Sequence, residues 1–174
     1  MVKSSFKVLN EEEWMVQPQF SNANLRAAFS LKSIPVIGFE GRRSFAKKAG
    51  FDPNGLVIPK QTHSTNVSFA KSVNTIENCD GVFTDEKDIV CSIQVADCMP
   101  IYFAHCSKNV YGLVHAGWRG LVYGILESTS QLILENGYKL HDFEIFIGPS
   151  IQKCCFEIRD DIVENFKIEC VTPT

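Results

Sequence analysis

Residues 110–121 read VYGLVHAGWRGL. A hydrophobic, strand-like run ends at His115. Two small residues, Ala116 and Gly117, make a hinge. Trp118, Arg119 and Gly120 follow, and an amphipathic segment begins at once. Strand-to-helix corners of this kind leave backbone N–H groups unpaired, and glycine lets a ligand come close. A His and an Arg four residues apart at such a corner could bind a metal and an anion. The same residues also suit a purely structural corner, with a buried His and a surface Arg.

Outward from that run, the chain has globular composition. It has 174 residues, 45% of them hydrophobic and 21% charged, enough for one compact domain with a real core. No apolar stretch approaches the roughly 20 residues needed to span a bilayer, so no membrane partner is expected. The N-terminal stretch MVKSSFKVLNEEEWMV carries three glutamates and no apolar core, unlike a secretory signal. A net charge of -3 gives no electrostatic footprint for nucleic acid. The seven cysteines are odd in number and irregularly spaced. They predict a reduced, cytoplasmic chain in which most thiols are small buried hydrophobes.

Hydrophobic patterning predicts strands over 25–31, 56–59, 66–70, 81–84, 89–96, 100–104, 110–115 and 143–147. It predicts a helix over 42–49, ended by Gly50. The strongest helix is expected over 120–136, where Leu121, Ile125, Leu126, Thr129, Leu132 and Ile133 recur every three or four residues. Residues 1–24 read as an irregular lead-in or edge strand, and 158–166 as a last short helix. Strands cluster in the middle with helices at intervals, which predicts an α+β or α/β domain without repeats or linkers. The chain stops at Thr174, soon after an element that reads as continuing into more fold.

Three polar residues stand at the ends of β-like runs: His63 in KQTHS, Cys98 in VADCMP and His115 in LVHAGWRG. Two imidazoles and a thiolate make a sensible zinc set that leaves a fourth position for water. Spacings of 35 and 17 residues match no short metal signature, so three separately satisfied residues remain an alternative. Asp97 beside Cys98 could orient a ligand histidine or accept a proton, or simply form an Asx turn. Pro100 is expected to interrupt a regular ladder. Arg119 and Gly120, ahead of the expected helix, suit a phosphate or carboxylate. Gly148-Pro149-Ser150 with the vicinal pair Cys154-Cys155 forms a second loop after a strand. His105 and His141 lie in polar turns and are expected to be solvated.

Taken together, QTH (61–63), DGVFTDEKDIVCSIQVADCMPIYF (80–103), VYGLVHAGWRGLVYGIL (110–126) and FIGPSIQKCCFEI (146–158) closely resemble one family. It is the YfiH-like, laccase-domain family, also described as multicopper polyphenol oxidases or purine nucleoside phosphorylases. The resemblance covers residues 42–158 of a single domain spanning 1–174. It implies a layered α/β/β/α sandwich and a zinc site formed by His63, Cys98 and His115. It also implies phosphorolysis of adenosine, inosine and methylthioadenosine, and deamination of adenosine. Asp97, Cys98 and Arg119 are then the expected catalytic residues, and Gln61, Arg119, Ser150 and Cys155 the expected substrate contacts. The partners would be a purine nucleoside and phosphate. Copper-dependent phenol oxidation is an alternative, although four histidines are few for a laccase. A metal-free cysteine hydrolase using Cys98 and a non-catalytic binding protein are the others. Family members usually continue for several dozen residues beyond the GPSI loop, and the segment before residue 40 is short here.

Overall fold

The structure is a computed structural model that describes residues 6–8, 15–32, 34, 36–157 and 164–166. In chain order its first elements are β1 (Phe6–Val8), β2 (Met15–Pro18), β3 (Phe29–Ser30), α1 (Gly38–Lys48), β4 (Leu56–Pro59), β5 (Val67–Phe69) and β6 (Thr75–Ile76). There follow β7 (Gly81–Thr84), β8 (Val90–Cys91), β9 (Met99–His105), β10 (Tyr111–Ala116), α2 (Trp118–Tyr123) and α3 (Ile125–Glu135). A single 3₁₀ turn (Leu140–Asp142) and β11 (Phe143–Ile147) complete the described fold.

The central sheet has five strands in the order β11-β9-β10-β7-β5. One face is covered by α3. Ile125 and Ile133, both buried, pack there against Phe83, Ile101, Phe103 and Val114. Burial of each such side chain contributes on the order of 1.5–3 kcal/mol. The opposite face meets a three-stranded sheet, β6-β4-β8, through Val82, Val57, Cys79 and Ile89. Beyond that sheet lies α1, which sets Ala46 against Leu56 and Ile58. The order helix, sheet, sheet, helix is the expected α/β/β/α layering. A third small sheet, β1-β2-β3, holds the N-terminal segment.

Register then decides which side chains meet. Val114 pairs with Gly81 in β7, so the next residue, His115, arrives beside Asp80. Ala116 pairs with Met99 in β9, so Gly117 arrives beside Cys98. Val67 pairs with Gly81, which brings the loop before β5, containing His63, to the same end of the sheet. Gly112 allows this packing: a Cβ there would lie 2.3 Å from the Phe83 ring.

Several expectations need correction. The helix expected over 120–136 begins earlier, at Trp118, and breaks at Gly124, whose φ is 99°. Only Phe29–Ser30 of 25–31 and Val90–Cys91 of 89–96 are strand, because the remaining backbone turns to line other elements. Pro100 does not interrupt β9. It is that strand's second residue and pairs with His115, close to the strand start where proline is tolerated. His105 is 2% exposed, not solvated. It ends β9 beneath Tyr138 and Phe143, and its Nδ1 accepts the N–H groups of Ser107 and Lys108. His141 is exposed, as expected. Among the described cysteines only Cys79 is fully buried, while Cys106, Cys154 and Cys155 are exposed. The helix expected over 158–166 and Cys170 lie outside the described residues, apart from a turn at 164–166.

Candidate metal centre

Two strand ends and the loop before β5 deliver the three expected ligands to one point. One donor atom from each of His63, Cys98 and His115 lies within 4.8 Å of the others. Cys98 Sγ is 3.7 Å from His63 Nε2. The two imidazoles sit edge to face with centroids 4.8 Å apart. His115 is buried, Cys98 partly buried and His63 exposed, so the cluster opens to solvent on one side.

The group that assembles this cluster is Asp80, which sequence reasoning left unassigned. Its side chain is fully buried. Oδ1 accepts from His115 Nδ1 at 2.8 Å and from the His63 backbone N–H at 3.0 Å. Oδ2 accepts from the N–H groups of Thr62 and Ser64 and from the Ser64 hydroxyl. The Asp80 carbonyl takes the His115 N–H at 2.7 Å. One carboxylate therefore fixes both ligand histidines. It also supports the positive φ of 60° at His63, a conformation that a non-glycine residue adopts only when held. Burial alone would raise this carboxyl's pKa, but the bonds from His115, Ser64 and Thr62 outweigh it and hold it below the usual range. The available signal was an aspartate directly abutting a strand-like run, GVFT, with no turn between them.

Because an ionised carboxylate only accepts, the His115 proton sits on Nδ1 and Nε2 keeps its lone pair for a metal. Burial lowers the His115 pKa against the pull of Asp80, which favours the neutral, ligating form. Gly117 leaves the room: a Cβ there would lie 2.6 Å from His63 Cδ2 and 3.2 Å from Cys98 Sγ. Donor chemistry, tautomer and cradle all fit a zinc ion. Burial, followed by the charges of Asp97 and Asp80, pushes the Cys98 thiol up. A thiol raised in this way is a poor free nucleophile, which argues against a metal-free cysteine hydrolase.

The other expected site residues are placed as follows. Asp97 is exposed next to Cys98, and its carbonyl accepts the Ile151 N–H at 2.9 Å. The histidine-orienting place that it could have filled is taken by Asp80. Gln61 clasps the main chain of Gln94, donating to its carbonyl and accepting its N–H, both at 2.7 Å. It thereby steadies the loop leading to His63. Arg119 falls in the first turn of α2 rather than ahead of a long helix, with its guanidinium 4.5 Å over the Trp118 ring. Ser150 and Asp97 both line a cavity of about 670 Å³ that none of the three ligands borders. The Cys155 thiol lies 3.2 Å from that of Cys154 on the exposed second loop.

The chain also matches known proteins. The family described as multi-copper polyphenol oxidoreductase laccase matches residues 15–172. Over 150 residues the chain is 31% identical to the human purine nucleoside phosphorylase LACC1, covering 86% of this chain and 35% of that protein. Over 158 residues it is 31% identical to adenosine deaminase RL5 from an unknown prokaryotic organism, covering 85% and 60%. The chain thus spans less than two thirds of these relatives' length. In fold it is similar to the hypothetical protein YfiH of Bacillus licheniformis, with a TM-score of 0.83 and 21% identity. That match covers 95% of this chain and 72% of the other.

Proposed function

Since the chain belongs to the multi-copper polyphenol oxidoreductase laccase family, and relatives about 30% identical to it are named for purine nucleoside chemistry, we propose that it is a zinc-dependent purine nucleoside enzyme. The observation that carries this reading is the His63–Cys98–His115 cluster held by buried Asp80. The reactions are phosphorolysis, in which phosphate displaces the free base from adenosine or inosine to leave ribose 1-phosphate and from methylthioadenosine to leave 5-methylthioribose 1-phosphate, and deamination of adenosine by water to inosine and ammonia. A zinc ion held by the cluster supplies Lewis acidity at neutral pH. Asp80 keeps His115 in the ligating tautomer. Asp97, exposed beside Cys98, is assigned the proton taken from an incoming nucleophile. Arg119 offers a planar donor fork to phosphate. Gln61 positions the His63 loop through Gln94.

Copper-dependent phenol oxidation fits less well. Passing four electrons to dioxygen calls for several coppers, yet His105 has its Nδ1 committed to backbone N–H groups and His141 stands in an exposed turn. Incubation with adenosine and phosphate, followed by chromatography of the bases and nucleosides, tests the proposal. Wild type is expected to form adenine or inosine, and His115→Ala to lose at least 100-fold in rate, about 2.7 kcal/mol of transition-state stabilisation. Full activity in that variant would sink the ligand assignment.

A further inference from the structure

The cavity of about 670 Å³ beside the metal centre has its own chemistry. It lies among residues 25–32, 34 and 36, α1, the loop 92–97 and the strands β9 and β10. Phe29, Phe45, Phe51 and Leu113 give it apolar and aromatic walls, and the volume falls within the range of small-molecule sites.

Most polar groups around it are already committed. The Tyr102 hydroxyl donates to the Ala28 carbonyl, and that of Tyr111 to the Glu86 and Ile89 carbonyls. Ser92 Oγ donates to the Val57 carbonyl, and Gln94 Nε2 to that of Val36. Arg26 donates to the Ala49 and Gly50 carbonyls and lies over the Phe51 ring. Arg42 is different. Its Nη1 is buried and has no hydrogen-bond partner, a state shared among the described residues only by His105 Nε2. A guanidinium stays charged even when burial lowers its pKa, as it does here. An unpaired charged donor away from water is costly to leave unmatched.

We propose that this cavity is a second ligand site, meeting the nucleoside site at Asp97 and Ser150, for an amphipathic organic monocarboxylate whose carboxylate pairs with Arg42 and whose apolar body fills the aromatic walls. Lys32, Asp97 and Ser150 also border the cavity; within it, the unpaired Arg42 calls for one anionic acceptor and the aromatic walls for apolar surface. A nucleoside would bring ribose hydroxyls and ring nitrogens into walls whose polar groups are mostly bonded elsewhere. Inorganic phosphate alone would leave the apolar walls uncovered.

Calorimetric titration of the 174-residue chain with decanoate, and in parallel with decan-1-ol, tests this directly. Decanoate is expected to bind at least about tenfold more tightly than the alcohol, since only the carboxylate forms a charge-assisted hydrogen bond with Arg42. Arg42→Met is expected to remove that preference while the variant retains its zinc content and thermal midpoint. Adenosine at saturation is expected not to displace decanoate. Equal binding of the acid and the alcohol by wild type would overturn the proposal without recourse to any variant. Competition by adenosine, or an undiminished preference in Arg42→Met, would overturn it as well.

Discussion

At the scale of single residues, the decisive group is Asp80 rather than any of the three ligands. The His63–Cys98–His115 cluster was legible through the family resemblance, since a His at the end of an apolar run can equally be structural, as His105 is at the end of β9. Asp80 was not legible, because its role is a set of contacts to residues 62–64 and 115 that only the register creates. Asp80→Asn keeps the shape but presents an amide where a carboxylate accepted five hydrogen bonds. Loss of such an outer partner typically costs 10–100-fold in metal affinity. A zinc competition assay with a chromogenic chelator should show that loss, and unchanged affinity would mean that His115 is oriented by other means. The same carboxylate sets a pH dependence. Its folded-state pKa is depressed, so its contribution to stability is complete above the unfolded value of about 3.9 and is lost as pH falls through the lower folded value. In Asp80→Asn, the fall in thermal midpoint on acidification below about pH 4 should be shallower than in wild type. Parallel curves for the two proteins would contradict this origin.

At the scale of elements, hydrophobic periodicity found the strands that carry the site, together with 56–59 and 143–147, and misjudged 25–31 and 89–96. Residues 81–84 and 110–115 are apolar because both faces are covered, and they appear within a residue of where they were expected. Residues 89–96 are equally apolar, but beyond Cys91 they line a cavity instead of pairing. Ile93 and Val95 are only half-buried there, and Gln94 and Ala96 are exposed, so an open apolar cavity wall leaves the same compositional trace as a ladder. The helix after His115 shows a second limit. Its apolar spacing passes through Gly124 unbroken, while the backbone there takes a left-handed turn that separates α2 from α3. Gly124→Ala should therefore destabilise the protein, by about 1 kcal/mol, although alanine is the better helix former. A chemical denaturation midpoint decides it, and a stabilised variant would show that the two helices are free to merge.

At the scale of the whole molecule, the layers explain why the site is where it is. Strands β7, β9 and β10 pair antiparallel, so the start of β7, the start of β9 and the end of β10 meet at one end of the central sheet. Asp80, Cys98 and His115 occupy those three ends. The His63 loop joins them because β5 runs parallel beside β7. The layer order was legible through the family resemblance, since composition and periodicity alone allow either an α/β or an α+β arrangement. The N-terminal sheet was not legible, because strands of two to four residues leave too little pattern. The account as a whole depends on a metal at the meeting point of these strands being required for nucleoside chemistry. The rate of adenosine consumption in the presence of phosphate, followed through chelation and then zinc add-back, tests that most directly. Product formation that disappears with the chelator and returns with one equivalent of zinc is the predicted result, and turnover that persists in metal-free protein would contradict it.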